Sequence, residues 1–386
     1  MERRNLLRAA VVSSASVAFG FTLSRAAMAG PAQSGVGPYG PLQAADANGV
    51  MLPAGFTSRI VARSSLTVPG TGYVWHGAPD GGFCYPDGSG WIYVSNAELA
   101  APSGGAGALR FAADGTVLDA YPVLTGTDRN CAGGATPWGT WLSCEEVSFG
   151  YVWETDPRGV VPPARHPAMG RFQHEAAAAD PDRQVIYLTE DQPDGCFYRF
   201  RPTVWGDLSA GVLEVMVAGT ATSGSATWAV VPNPTPRKNR DATRNQVAAA
   251  KRFNGGEGCY YADGVCYFTT KGDNRVWRFN AVTDTYELAY DDNLTPNPPL
   301  TGVDNITGSA SGDLFVAEDG GNLEICVITP DEIVATFLRL VGHGSSEITG
   351  PAFSPAGDRL YFSSQRGTTG SSSGGITFEV RGPFRS

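Results

Sequence analysis

The chain has 386 residues, 42% of them hydrophobic and only 17% charged, so it can bury a sizeable core and is not a disordered polyelectrolyte. A formal net charge of −10 argues against a nucleic-acid partner, and 49 glycines with 27 prolines argue against a helical protein. Between these turn formers lie short aromatic and β-branched runs, the composition of an all-β fold.

The first feature along the chain is MERRNLLRAAVVSSASVAFGFTLSRAAMAG: an arginine pair, a weakly apolar segment, then Ala27-Met28-Ala29. It reads as a signal peptide over residues 1–29, which predicts export by the twin-arginine machinery to the periplasm or beyond. Arg8 and Arg25 bound an apolar stretch shorter than the about 20 residues a span needs, so no membrane contact is expected after cleavage. Loss of Glu2 and the leader arginines makes the remaining chain more acidic still. Such a surplus keeps a protein soluble, and it is also what a cation-loaded protein shows before its metals are counted. Residues 30–50 are expected to be a flexible segment, and 51–386 a single domain with an insertion at about 203–250, in a monomer.

Six stretches share one grammar: PDGGFCYPDGSGWIYVSNAE, CAGGATPWGTWLSCEE, FQHEAAAADPDRQVIYLTED, NGGEGCYYADGVCYFTTKGD, GVDNITGSASGDLFVAEDG and EITGPAFSPAGDRLYFSSQRG. Most run from a polar or acidic residue through a short strand and a turn, such as Asp263-Gly264, into a second strand with a polar end. They begin near Asp80, Cys131, Phe172, Asn254, Gly302 and Glu347, a recurrence of roughly 40 to 50 residues apart from one double interval, which predicts a six-bladed β-propeller. A pair of β-sandwiches also uses many short strands but has no reason to repeat an acidic residue in phase.

Glu175, Glu257, Asp304 and Glu347 each open the first strand of a unit, while Glu98, Glu145, Glu190, Glu318 and Asp319 follow a later strand. In-phase positions converge on the axis of a propeller. Carboxylates gathered there cannot all ionise without counter-charge, so bound cations are expected, and many hard oxygen donors favour calcium. Cys144, in PWGTWLSCEE, offers a softer thiolate suited to an iron-like ion, with Glu145 or Glu146 beside it. The alternative for that stretch is a buried thiol followed by a solvated acidic pair. Of the other cysteines, Cys259 and Cys266 flank a turn and can face each other across a hairpin; Cys84, Cys131, Cys196 and Cys326 receive no assignment.

Taken together, NCAGGATPWGTWLSCEE, GRFQHEAAAADPDRQVIYLTEDQPDG, EGCYYADGVCYFTTKGD, DNIT and FVAEDG resemble the PhoX family of secreted bacterial alkaline phosphatases, in order from about Leu52 to Phe378. The resemblance implies a propeller whose axial site holds iron and calcium around an oxo group and hydrolyses phosphomonoesters. By motif position, Cys144 resembles the family's iron-binding cysteine, and Glu145, Glu175, Glu257, Asp304 and Glu318 are the matching metal ligands, with Glu98 and Glu190 as further candidates. Lys271 in TTKGD is the channel-facing cation, with Arg171 and Arg366 as salt-bridge partners, and His174 in FQHEAAA is the one histidine in a motif, an orienting donor or a ligand. Lys271 and His174 are thus the candidate catalytic groups, acting on small phosphoester substrates. Two other classes fit the same fold: a calcium-dependent lactonase-type hydrolase, which would not need Cys144, and a secreted binding scaffold pinned by metals.

Overall fold

A computed structural model describes residues 30–238 and 241–386; the leader assignment for 1–29 lies outside them. Among the described residues no α-helix forms, and the strands make six sheets arranged as the blades of a propeller, antiparallel except where Gln33–Ser34 joins the edge of one. Blade I holds Pro79–Asp87, Gly90–Ala97, Gly104–Phe111 and Val117–Thr127, and blade II holds Asn130–Ala135, Trp141–Glu145, Val152–Thr155 and Ala164–Arg165. Blade III runs from His174–Asp180 through Val185–Glu190 and Phe197–Val204 to Asp207–Val217, with Thr227–Val230 added outside. Blade IV holds Gly256–Ala262, Val265–Thr270, Arg275–Asn280 and Thr285–Asp291, and blade V holds Val303–Gly308, Leu314–Glu318, Glu324–Ile328 and Ile333–Leu340. Blade VI takes Ile348–Phe353, Arg359–Ser364 and Ile376–Arg381 from the end of the chain and its outer strand, Thr57–Arg63, from near the start, which closes the ring.

Local chemistry explains the hairpins. Ala262 pairs with Val265 around Asp263 and Gly264, both with positive φ (49° and 83°), the two-residue turn whose twist suits adjacent antiparallel strands. Side chains alternate across each strand, and each contact between neighbouring blades carries its own apolar cluster. Between blades III and IV, for example, Phe197 stacks on Phe268 with ring centroids 4.2 Å apart.

Toward the axis the strands crowd, and large residues disappear. A methyl added at Gly81 would lie 2.5 Å from Ala132 Cα, and one at Gly134 would lie 1.9 Å from the Ala177 carbonyl oxygen. The inner strands are therefore rich in glycine and alanine because neighbouring backbones touch.

Two expectations change. Residues 30–50 are not a loose lead-in: Gln33–Ser34 and Val50–Met51 both pair with Ile333–Leu340 on the edge of blade V, and Ala32 is buried there. Their backbone groups are satisfied by an otherwise unpaired edge strand. The insertion at 203–250 is also shorter than expected, since Asp207–Val217 is the regular fourth strand of blade III.

The close approach of blades II and III gives a test. Gly134→Ala should lower unfolding stability by about 1–3 kcal/mol, because the methyl overlaps backbone that has no free space to retreat into. Gly219→Ala, whose methyl meets nothing within 4 Å, should not. Urea unfolding midpoints of the two variants compare them; equal midpoints would mean the blades yield at no cost.

Candidate metal centre on the propeller axis

The first and second strands of the blades pair at corresponding positions: Pro79 with Ala97, Asn130 with Glu145, His174 with Glu190, Gly256 with Thr270, Val303 with Glu318 and Ile348 with Ser364. The next residue on each first strand gives Asp80, Cys131, Glu175, Glu257, Asp304 and Thr349. The next residue beyond each second strand gives Glu98, Glu146, Asp191, Lys271, Asp319 and Gln365. In every blade the register slips at the start of the first strand, a β-bulge that re-aims the side chain there.

Ligand atoms of Cys131, Glu146 and Glu175 lie within 4.8 Å of one another, as do those of Glu175, Glu257 and Asp304, and those of Asp304, Asp319 and Glu347. Sharing Glu175 and Asp304, the three groups form one continuous chain of donors. The Cys131 thiol donates to Glu175 Oε1 at 3.2 Å, while Glu175 Oε2 is buried with no hydrogen-bond partner among the described residues. Lys271 Nζ stands 3.0 Å from Glu257 Oε1 and 3.2 Å from Asp319 Oδ2. Arg366 pairs with Glu347 at 2.7 Å, and Gln365 donates to Asp80 Oδ2 (2.6 Å) and Glu98 Oε2 (2.9 Å).

Electrostatics follow from this crowding. Burial, then the neighbouring carboxylates, holds Asp80 and Glu175 well above the usual carboxylate range. Glu257 also lies well above it, burial and Asp304 outweighing the ammonium of Lys271. Glu347 is pushed up to about 10 and Glu146 to about 9, mainly by burial and then by adjacent acids; Asp304 reaches about 7, with Lys271 opposing burial. Burial disfavours the charge of Lys271, but Glu257, Asp304 and Asp319 more than reverse this and keep it protonated. Asp319, facing that ammonium, falls below its ordinary value despite burial. The donor set fits cations: many oxygens, one sulfur, and a buried carboxylate oxygen that nothing among the described residues satisfies.

The structure sorts the expected site residues. Glu175, Glu257, Asp304, Glu98 and Lys271 meet on the axis, as expected. Cys144 does not: in Trp141–Glu145 it alternates to the same side as Leu142 and is fully buried in the apolar cluster between blades II and III. Cys131, one strand earlier, carries the axial thiol instead. Glu145, Glu190 and Glu318 are also corrected, all for one reason. Each ends a second strand and turns to the loop ahead, accepting from the backbone N–H of Tyr151 (3.0 Å), Cys196 (3.2 Å) and Glu324 (3.0 Å) respectively. The axial residues are their successors, Glu146, Asp191 and Asp319. Glu318 does adjoin Glu324 and Cys326, but Glu324 is already engaged by Arg339 and Thr336. His174 likewise faces the core, stacked on Phe172 with centroids 3.6 Å apart and its Nε2 3.1 Å from the Gly170 carbonyl oxygen; burial lowers its pKa to about 3, so it is neutral. Cys259 and Cys266 do face each other, with sulfurs 3.4 Å apart and both thiols free.

Six blades around an axis lined with carboxylates, a thiol and a lysine define a propeller with a cation-attracting centre. The family model of alkaline phosphatase PhoX matches residues 92–148 and 147–287, half of the chain, and the chain belongs to that family of phosphoester hydrolases. The family is metal-dependent, and the axial groups are where this chain can hold cations. Among solved structures, Pseudomonas fluorescens PhoX in complex with vanadate, a transition-state analogue, matches with a TM-score of 0.71 at 15% identity, over 91% of this chain and 98% of that one. A Bacteroides thetaiotaomicron protein of unknown function matches at 0.53 and 9% identity, over 84% and 76%. At such identities the likeness is one of fold. No curated protein matches. No helix among the described residues is long and apolar enough to cross a membrane.

The raised carboxyls set the pH response of cation-free protein. They keep protons in the folded chain that the unfolded chain releases at 3.8 for the aspartates and 4.5 for the glutamates, so their contribution to stability is complete only below those values. It is lost as pH rises through about 7, 9 and 10, the values for Asp304, Glu146 and Glu347. Thermal melts of chelator-treated protein should therefore fall steadily from pH 5 to pH 10, and calcium should flatten the fall. A melting point that is constant over this range without cations would contradict the crowding described above.

Proposed function

We propose that the chain hydrolyses small phosphomonoesters with calcium and iron ions held on the axis by Cys131, Glu146, Glu175, Glu257, Asp304, Asp319 and Glu347. One observation carries this reading: buried acids from successive blades converge around a single thiol, leaving Glu175 Oε2 unsatisfied. The oxygens suit calcium and the sulfur suits a transition ion such as iron. Such cations, when bound, neutralise the phosphoryl oxygens and activate water as the nucleophile.

The protein's own groups do the rest. Lys271, kept protonated between Glu257 and Asp319, presents a fixed positive charge to a phosphoryl oxygen. Gln365 holds Asp80 and Glu98 in place, and Gln173 does the same for Glu146 and Asp191, donating at 3.0 and 3.1 Å. The bulges fix Cys131, Glu175, Glu257 and Asp304 on strands rather than on mobile loops. A lactonase-type site using calcium alone has no use for a thiol, so Cys131 favours the phosphatase. The acidic leaderless chain is expected to act as a monomer outside the cytoplasm, after passage through the twin-arginine machinery, with no nucleic-acid or membrane partner.

Metal-loaded protein should turn over p-nitrophenyl phosphate best at alkaline pH, and calcium chelation should abolish turnover. Cys131→Ser should lose iron and at least roughly tenfold in activity, because a hydroxyl is a poor substitute for thiolate. Cys144→Ser should keep both metals. Elemental analysis beside the assay decides the matter: iron retained in Cys131→Ser, or zinc found without calcium, would sink the proposed centre. Glu257→Gln should weaken metal retention and turnover in parallel.

A further inference from the structure

Beside the axis, between blades II and III, lies a cleft of about 170 Å³ lined by Phe149, Arg171, Gln173, Gln192, Thr243 and Arg244, among others. We propose that it receives the alcohol half of the phosphomonoester, and that Arg171 selects alcohols bearing a second anionic group, a carboxylate or another phosphate. This rests on the phosphatase reading and adds to it a substrate class.

Position is the first reason. Phe149 follows axial Glu146 by three residues, Gln173 precedes Glu175 by two, and Gln192 directly follows Asp191. Gln173 is the shared wall: its Nε2 donates to Glu146 Oε1 and Asp191 Oδ2 on the axial side, and its Oε1 accepts from Gln192 on the cleft side. A phosphoryl group on the axis thus has this cleft next to it for what it is bonded to.

Size is the second. A cavity of about 150 Å³ holds a benzene ring, so this cleft accommodates a ring-sized alcohol such as a phenol or a sugar. Charge is the third. Arg244 is neutralised by Glu190 (3.1 Å) and Asp194 (2.8 Å). Arg171 is not: its Nε donates to the Phe149 carbonyl oxygen at 2.9 Å and its Nη1 to that of Pro236 at 3.3 Å, and among the described residues no carboxylate pairs with it. Its guanidinium packs 5.1 Å from the Phe149 ring centroid and 5.2 Å from that of Tyr151. Phe149 itself holds a φ of 64°, rare for a bulky residue, and the bond from Arg171 pins that conformation. A rigid, uncompensated guanidinium beside an otherwise acidic axis is suited to gripping an anion in a fork.

The experiment compares phenyl phosphate with 4-carboxyphenyl phosphate, using metal-loaded full-length protein and Arg171→Gln. The wild type should prefer the carboxylated ester by about tenfold in kcat/KM, chiefly through KM, as expected of a charge-assisted contact made equally in the ground and transition states. Arg171→Gln should lose the preference, the ratio of its two kcat/KM values falling to about one, and a thermal melt shows that it folds. Ser148→Trp, at an exposed position lining the cleft, fills it and should slow both aryl esters while sparing methyl phosphate. A wild type with no preference, an Arg171→Gln that retains it, or a Ser148→Trp that treats aryl and methyl esters alike would each overturn the cleft and leave the phosphatase standing. A wild type inert toward all three esters would overturn the phosphatase reading and this one with it.

Discussion

Repulsion among like charges on the axis is the constraint on which the rest of the structure depends. Six repeats of one supersecondary unit bring equivalent positions face to face, so an acid acceptable in one blade becomes a problem when several share it. The chain answers partly from within. Lys271 stands where neighbouring blades place Asp191 and Asp319, Thr349 replaces an acid on the first strand of blade VI, and Arg366 and Gln365 engage Glu347, Asp80 and Glu98. What these groups leave uncompensated is concentrated around Glu175, opposite the single thiol. That imbalance suits the centre to cations there, and the same carboxylates keep Lys271 protonated against its burial.

The fold and its phase were legible in the sequence because both are properties of repetition. Starting points near Asp80, Cys131, Phe172, Asn254, Gly302 and Glu347 fall within two residues of where the inner strands begin, and Glu175, Glu257 and Asp304 needed only that alignment to reach the axis. The acidic pairs were harder. Glu145-Glu146, Glu190-Asp191 and Glu318-Asp319 each offer two carboxylates one residue apart, and a strand reverses its side-chain direction with every residue. The first member closes the loop to the third strand by accepting from the backbone N–H six residues ahead; the second reaches the axis. Blade I carries the clue, since Ala97 stands in the first position and Glu98 in the second. The same logic separates the two cysteines. Cys144 was conspicuous beside its glutamates, yet Cys131 occupies the position of Glu175, Glu257 and Asp304, and that equivalence was the usable signal. Nothing in the sequence marked residues 30–50 as strands, because their partner is the edge of blade V, some 300 residues away by number.

The capping glutamates show how closely support and function are joined here. Glu190 accepts from Tyr198 (2.7 Å) and Arg244 as well as from its loop amide, so the residue that shapes the loop also neutralises one of the two arginines at the cleft. Asp191, next in sequence, binds the Gln173 amide. Adjacent residues thus serve the scaffold and the centre, and an exchange between them would disturb both.

The strand that closes the ring has a consequence for how the centre comes into being. Thr57–Arg63 is made early and must wait until Ile376–Arg381 exists before it can pair, a contact between the two ends of the domain that only a nearly complete chain can form. Asp80 and Gln365 come together across the same seam. The axis therefore reaches its final arrangement only when both ends of the domain are present, and a chain that stops before Ile376 leaves the seam beside Asp80 open.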